Sequence, residues 1–155
     1  MKTFYYGLVV GLACIATSAF GATRELDTTV YITVVKPPEK IALANNQTVN
    51  ANGQTRATLI DDKTGETSSQ WCNFEDRIDG AGIPIDAGYC TVYYDNGDVS
   101  WYSYVTAGAD HVNWTVMGGT GKYAGATGSG TGTVVSRRSD GASFTIESKG
   151  TLVTK

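Results

Sequence analysis

Three side chains of this 155-residue sequence could carry acid–base chemistry: Glu75, Asp76 and Tyr94. Glu75 and Asp76 precede Arg77 at the start of a predicted loop, residues 75–88. We predict that this charged group lies at a cavity mouth, as acid, base or substrate clamp, with a solvated loop as the alternative. Tyr94 falls in the predicted interior, but its reference pKa of ~10 is far from that of a neutral-pH base. These residues are the catalytic candidates, and their pattern alone assigns no reaction.

Several other chemistries are disfavoured by the sequence. It contains no nucleophile elbow, no Cys/His pair and no phosphate loop, since the glycine-rich run at 119–125 lacks the Gly-Lys-Ser/Thr ending. Outside the predicted signal peptide, two cysteines and one histidine, His111, do not make a convincing zinc site. A formal charge of −3 without Lys/Arg clusters argues against nucleic acid as a partner. We therefore expect neither a metal nor an organic cofactor.

The first 21 residues are predicted to be a signal peptide. Lys2 precedes an apolar run at 8–16, and Ala19 and Gly21 are small residues at the cleavage-critical positions. The run is shorter than the ~20 apolar residues that a membrane-spanning helix needs. We expect a secreted or periplasmic protein with no stable membrane anchor after cleavage, and a single domain over residues 22–155.

Two cysteines, Cys72 and Cys90, lie outside the predicted signal peptide. Export to an oxidising compartment favours a disulfide between them, and two free buried thiols are the alternative.

The domain is predicted to be all-β. Gly, Thr, Tyr and Val are abundant, and seven or eight short alternating segments follow one another without a helical period. This pattern is typical of a sandwich or a barrel. The strongest turn signal is Asn96-Gly97, between alternating runs at 89–94 and 99–105.

A two-residue turn at Asn96-Gly97 would pair Tyr94 with Val99 and would orient Trp101 inward. The predicted ligand-lining residues are aromatic side chains on this inward face and on two later strands: Tyr94, Trp101, Trp114 and Phe144. The opposite face would carry a row of tyrosines and hydroxyl residues, either a carbohydrate or partner platform or an ordinary solvated surface.

Residues 118–132 are rich in glycine, and Gly128, Gly130 and Gly132 would leave one strand face without side chains. Such a face is expected to lie against bulky side chains or to leave space beside them.

Residues 116–128, Val-Met-Gly-Gly-Thr-Gly-Lys-Tyr-Ala-Gly-Ala-Thr-Gly, resemble the glycine-rich signature of allene oxide cyclase-like barrels and the related dirigent proteins. The resemblance covers about residues 88–153. It implies an antiparallel eight-stranded, calycin-like barrel with a largely apolar cavity and no metal or organic cofactor. The catalytic carboxylate and asparagine of the plant cyclases have no matching positions here, so no catalytic residue is carried over.

Three functions follow as hypotheses. The first is an exported barrel that binds a small apolar or aromatic molecule. The alternative is a cofactor-independent cyclase or isomerase, so that whether the protein is an enzyme stays open. The third is a structural or interaction protein with a solid interior. A cavity of roughly 300 Å³ or more would favour the first two, and a buried carboxylate or a Tyr–Asp pair inside it would favour the enzyme. Ligand identity and oligomeric state are left open.

Overall fold

The computed structural model describes residues 21–44, 47–78, 84–106 and 108–155. The predicted signal peptide, apart from Gly21, lies outside these residues. Among the residues described, none forms a helix that could serve as a membrane-spanning segment.

The described residues form nine β-strands and one short 3-10 turn at Gly121–Tyr123, without an α-helix. The strands are β1 (Ala22–Lys36), β2 (Glu39–Ala42), β3 (Thr48–Asp61), β4 (Thr67–Ile78), β5 (Pro84–Tyr93), β6 (Val99–Thr106), β7 (His111–Gly119), β8 (Thr127–Arg137) and β9 (Ser143–Thr154).

The sheet closes on itself. Each strand from β3 to β9 pairs antiparallel with the next, and β1 pairs with both β9 and β3, which completes an eight-stranded barrel. The short β2 adds to the edge of β3 outside this closed ring. The predicted eight-stranded antiparallel barrel is confirmed. Closure leaves each barrel strand with a partner on both sides, which removes most of the exposed sheet edge.

Alternation along each strand separates the lumen from solvent. On β1, Val30 and Ile32 are buried while Tyr31, between them, is half exposed. Val30 and Ile32 pack with Ala57 of β3 to form one small core cluster. A second cluster forms around Tyr123. The period of two predicted these strands, because successive side chains of a strand point to opposite faces.

Inward aromatic rings lie over glycines of the neighbouring strands. A methyl group at Gly130 or Gly150 would overlap the Trp114 ring, and one at Gly88 would overlap the Tyr104 ring. The rings therefore lie against the wall rather than across the lumen. The predicted bare face of the glycine-rich strand receives Trp114, and the lumen stays open beside it.

The β5–β6 hairpin differs from the prediction by one residue of register. Tyr94 and Asp98 close a three-residue loop, because the Tyr94 amide donates to the Asp98 carbonyl at 3.1 Å. Gly97 adopts φ 84°, the left-handed conformation that three-residue hairpin loops commonly use. Val99 consequently pairs with Tyr93, not with Tyr94.

This one-residue difference reverses the faces of β6. Trp101 pairs with Thr91 and lies on the outer face, 39% exposed, so its predicted inward orientation is wrong. Tyr102 and Tyr104, predicted to face outward, line the lumen instead. The reason is the period of two, since a slip of one residue turns every side chain of a strand over.

The predicted disulfide between Cys72 and Cys90 is present. The two cysteines are direct cross-strand partners on β4 and β5, both are buried, and their Cα atoms are 4.1 Å apart. The bridge ties the inner faces of two neighbouring strands and stabilises the fold by roughly 3 kcal/mol in the chain-entropy account.

Candidate functional site

The described part of the lumen contains two cavities that meet at Val30, Tyr102, Trp114 and Ser148. The larger, about 470 Å³, is called here the Asp86 chamber. The smaller, about 350 Å³, is called the Tyr94 chamber. The interior is therefore not filled solid, and each chamber is within the size range of small-molecule sites.

A pair of carboxyl groups faces the Asp86 chamber. Asp76 on β4 and Asp86 on β5 are direct cross-strand partners, and both line the cavity. The Tyr104 hydroxyl of β6 donates to Asp86 Oδ1 at 3.1 Å. The Asp86 amide donates to Thr106 Oγ1 at 2.8 Å, which fixes the backbone of Asp86 beside β6. Three adjacent strands thus converge on one polar cluster.

Burial sets the charge of this cluster. Burial, together with the nearby negative charge of Asp76, raises the pKa of Asp86 to about 7. Burial also raises the pKa of Asp76. The pKa of Tyr104 is raised by burial and by the carboxylate beside it, so its hydroxyl remains protonated and acts as a donor. Near neutral pH Asp86 is therefore present in both its protonated and its ionised form.

Hydrogen bonds fix the wall where the chambers meet. The Tyr102 hydroxyl donates to Gln70 Oε1 at 2.6 Å, and Gln70 Nε2 donates to Cys72 Sγ at 2.8 Å. The Trp114 indole donates to Ser148 Oγ at 2.9 Å. The rings of Tyr102 and Trp114 meet edge to face with centroids 6.5 Å apart. A wall held in this way is preorganised for a rigid ligand.

Paired charges form part of the wall of the Tyr94 chamber. Arg24 donates to Asp61 at 2.6 Å and to Glu66 at 3.3 Å. Although burial opposes it, the pKa of Asp61 is lowered, because the backbone amide of Thr64 and the Arg24 guanidinium bind its carboxylate. Every charge in this group has an opposite partner or a hydrogen-bond donor, which is the pattern of a structural ion pair.

Tyrosine packing forms the inner wall of the Tyr94 chamber. Tyr94 stacks on Tyr123 with centroids 4.2 Å apart, and its hydroxyl hydrogen-bonds Ser100 Oγ at 3.0 Å. The Lys122 ammonium lies 5.0 Å from the Tyr123 ring centroid. Tyr94 is thus already occupied by protein contacts, and burial raises its pKa further above the neutral range.

The predicted site residues separate into two groups. Tyr94, Trp114 and Phe144 line the lumen, with Phe144 in the Asp86 chamber. Trp101 lies on the outer face, because the observed register of β6 differs by one residue from the predicted register. Glu75 is exposed on the outer face of β4.

Asp76, next to Glu75, faces inward, because β4 continues to Ile78 where a loop was predicted. Alternation along this continued strand separates the two carboxylates. The candidate pair Glu75–Asp76 is thereby replaced by the pair Asp76–Asp86.

Asp86 and Tyr104 were missed by the sequence-based reasoning. The glycines and the proline near Asp86 resemble a loop, and Tyr104 was assigned outward by the one-residue error in β6. A usable signal was nevertheless present. If Cys72 and Cys90 are cross-strand partners on antiparallel strands, the residue four positions after Cys72 pairs with the residue four positions before Cys90. Those two residues are Asp76 and Asp86.

No group of His, Cys, Asp or Glu side chains among the described residues is arranged to hold a metal ion. The polar cluster contributes two carboxyls and a phenol, which suit hydrogen bonding and proton transfer to a small molecule.

Comparison by sequence finds no matching protein-family model and no matching curated protein. Comparison of structures finds several chains of similar fold, among them two pterocarpan synthase dirigent proteins. GePTS1 matches with a TM-score of 0.60 and 11% identity, over 89% of this chain and 88% of that chain. PsPTS1 matches with a TM-score of 0.55 and 12% identity, over 86% of this chain and 96% of that chain. This chain is therefore structurally similar to the dirigent proteins, an eight-stranded antiparallel β-barrel family related to allene oxide cyclase.

Proposed function

We propose that this barrel binds a small aromatic molecule bearing a hydroxyl group in the Asp86 chamber. The chamber has the volume of a typical small-molecule site. Most of its wall is apolar, with Ile32, Phe74, Trp114, Phe144 and Ile146. The fold of the chain is similar to those of two pterocarpan synthase dirigent proteins, which is in keeping with an aromatic ligand.

One observation carries the proposal: the Asp76–Asp86–Tyr104 cluster lies on a mostly apolar wall and faces an open cavity. Gln70, Arg137 and Asp140 line other parts of the same cavity. Burying two carboxyls side by side is unfavourable for folding, because each raises the free energy of the other's charged form. Such a cluster is expected where a ligand hydroxyl completes its hydrogen bonds. A ligand hydroxyl can donate to the ionised carboxyl or accept from the protonated one.

A second function, cofactor-independent cyclisation or isomerisation, is favoured by the pKa of Asp86 at about 7. A group with that pKa is present in both protonation states at neutral pH, as a general acid–base catalyst must be. One carboxyl would give its proton to a ligand oxygen or carbon while the other took a proton from a ligand hydroxyl. Such an exchange conserves atoms and electrons, so the net reaction is an isomerisation.

The binding proposal is tested with a pair of probes that differ by one hydroxyl, 2-naphthol and naphthalene. In the wild-type protein 2-naphthol is expected to bind more tightly. Tyr104→Phe and Asp86→Asn should each weaken 2-naphthol binding about tenfold, since a hydrogen bond to a charged group contributes about 1.5–3 kcal/mol. Naphthalene binding should change less than about twofold, because the ring contacts are retained.

Tyr93→Phe is the matched control, since Tyr93 lies on the outer face of the neighbouring strand and is 48% exposed. Equal affinity of the wild-type protein for the two probes would contradict the proposal. An equal loss of affinity for both probes in the Tyr104→Phe protein would also contradict it, since that result would indicate a collapsed cavity.

We also propose that the protein functions outside the cytoplasm. The Cys72–Cys90 disulfide is in keeping with an oxidising compartment. Fractionation of the native host, with the mature N-terminus read by mass spectrometry, tests this proposal. Recovery of the uncleaved chain from the cytoplasm would contradict it.

A further inference from the structure

An aromatic platform lies on the outer face of β4, β5 and β6, away from both chambers. Thr91 is its centre. Its direct cross-strand partners are Trp71 and Trp101, and its neighbours two residues away on β5 are Tyr89 and Tyr93. These five residues are called the outer platform. The observed register of β6 places Trp101 on the outer face, and it therefore also brings Trp101 next to Thr91 in this surface.

The rings of the outer platform are open to solvent. Tyr89 is 66%, Tyr93 48% and Trp101 39% exposed. The Trp101 indole lies over Gly118 of β7, where an added methyl group would be 3.7 Å from the ring. That distance is an ordinary van der Waals contact, so the indole lies beside this part of β7. Exposed aromatic rings beside one another offer apolar faces to a planar ligand.

The disulfide on the inner face of the sheet supports the outer platform, and polar side chains lie beside its rings on the outer face. The Cys72–Cys90 disulfide ties β4 to β5 on the inner face, next to Trp71 and Thr91 in the chain. The cross-strand partners of Tyr89 are Asn73 and Ser103, which add amide and hydroxyl groups beside the ring. Rings interleaved with hydrogen-bonding side chains suit a ligand whose faces are apolar and whose edges carry hydroxyls.

The charge and the area of the outer platform indicate which kind of ligand or partner it can bind. None of its five residues is charged, and the Arg56 guanidinium lies 4.7 Å from the centroid of the Trp71 ring. An anionic polymer or lipid therefore meets little complementary charge. At these exposures the three most open rings present roughly 300 Å², whereas a stable protein dimer buries about 800 Å² on each partner. The rings alone therefore supply less than half of the area that a stable contact with a second copy needs.

We infer that the outer platform binds a neutral glycan, an extended β-1,4-linked chain whose sugar rings stack on Tyr89, Trp101 and Tyr93. The C–H faces of such rings are apolar, and their equatorial hydroxyls reach Asn73, Thr91 and Ser103. Tyr89 and Tyr93 are about 13 Å apart along β5, which accommodates a short oligosaccharide. This site is distinct from the lumen and does not rest on the function proposed for the Asp86 chamber.

The test is isothermal titration of the whole protein with cellohexaose, xylohexaose and mannohexaose. At least one of these hexasaccharides is expected to bind the wild-type protein. Trp101→Ala and Tyr89→Ala should each weaken that binding about tenfold, and Trp101→Phe should recover part of it because a ring remains. Tyr31→Ala is the matched control, since Tyr31 is 51% exposed on the outer face of β1.

The inference would be overturned if none of the three hexasaccharides bound. It would also be overturned if binding were unchanged in a Trp101→Ala protein with wild-type thermal stability. Loss of self-association in Trp101→Ala without any glycan binding would also overturn it, in favour of a second copy as the occupant. Tyr104→Phe separates this site from the lumen, because it should leave glycan affinity unchanged.

Discussion

The two chambers share one lumen and one wall, yet they hold charge in opposite ways. In the Tyr94 chamber the buried Asp61 carboxylate accepts hydrogen bonds from Arg24 and from the backbone amides of Lys63 and Thr64. In the Asp86 chamber two carboxyls face each other, and the direct donor to Asp86 Oδ1 is a neutral phenol. The pKa of Asp61 is accordingly lowered and that of Asp86 is raised.

This difference separates a structural cluster from a functional candidate. Paired charges whose donors come from the protein itself hold β1 and β3 together at one end of the barrel. At the other end two carboxyls with raised pKa values lie side by side, which is unfavourable for the folded state when both ionise, and they face a cavity that a ligand can enter. Removing a carboxyl should therefore have opposite effects on stability at the two ends.

The largest effect is expected at the paired end. Asp61→Asn removes the negative charge that Arg24 and the Thr64 amide bind, and the substituted amide group cannot accept from all of these donors. We expect the free energy of unfolding to fall by about 3 kcal/mol at pH 7. Urea denaturation measures it, with Asp27→Asn as the control, because the Asp27–Lys149 pair is longer at 3.5 Å and more exposed. A loss no larger than that of the control would contradict a structural role for the Arg24 cluster.

The opposite sign is expected at the Asp86 end. The pKa of Asp86 is about 7 in the folded protein and about 4 in the unfolded chain. The folded state therefore holds a proton that the unfolded state has released. The stability that this proton contributes is complete below about pH 4 and is lost as the pH rises through 7.

Asp86→Asn should remove this pH dependence. We expect the variant to be more stable than the wild-type protein by about 2 kcal/mol at pH 8, after allowance for solvent access through the open chamber. The two proteins should differ little at pH 4. Urea denaturation across pH 4–8 measures both, and a variant that is less stable at pH 8 would show that Asp86 is structural.

The smallest effect is expected from the tyrosine hydroxyls. Tyr94→Phe removes the hydrogen bond to Ser100, in a chamber where the protein supplies the partners, and should reduce stability by about 1 kcal/mol. Binding of 2-naphthol should not change, because the Asp86 chamber carries it. Tyr104→Phe removes the hydrogen bond to Asp86 and should also reduce stability by about 1 kcal/mol, but it should weaken 2-naphthol binding as well. Equal 2-naphthol binding by the two variants would remove the distinction between the chambers.

The fold could be predicted from the sequence because its signals are local. Alternation on β1, the glycine-rich β8 and the Asn96-Gly97 turn each indicate strands or turns without knowledge of their partners. Tyr94, Trp114 and Phe144 were assigned to the interior by the same alternation. The disulfide followed from the number and position of the cysteines.

The candidate site could not be predicted to the same degree, because it depends on register. The length of one turn, three residues rather than two, decides whether Trp101 or Tyr102 and Tyr104 face the lumen, and the Asn-Gly signal is compatible with both. Asp86 lies among residues that are typical of loops, and only its pairing with β4 brings it opposite Asp76. Pairing is a property of two strands together, which periodicity within one strand does not report.

The most direct measurement of the central claim is a crystal structure of the protein with 2-naphthol bound. We predict a single ring system in the Asp86 chamber, with its hydroxyl oxygen within hydrogen-bonding distance of Asp86 or Tyr104. A naphthol seated in the Tyr94 chamber, or one in the Asp86 chamber with its hydroxyl turned away from Asp76, Asp86 and Tyr104, would contradict it.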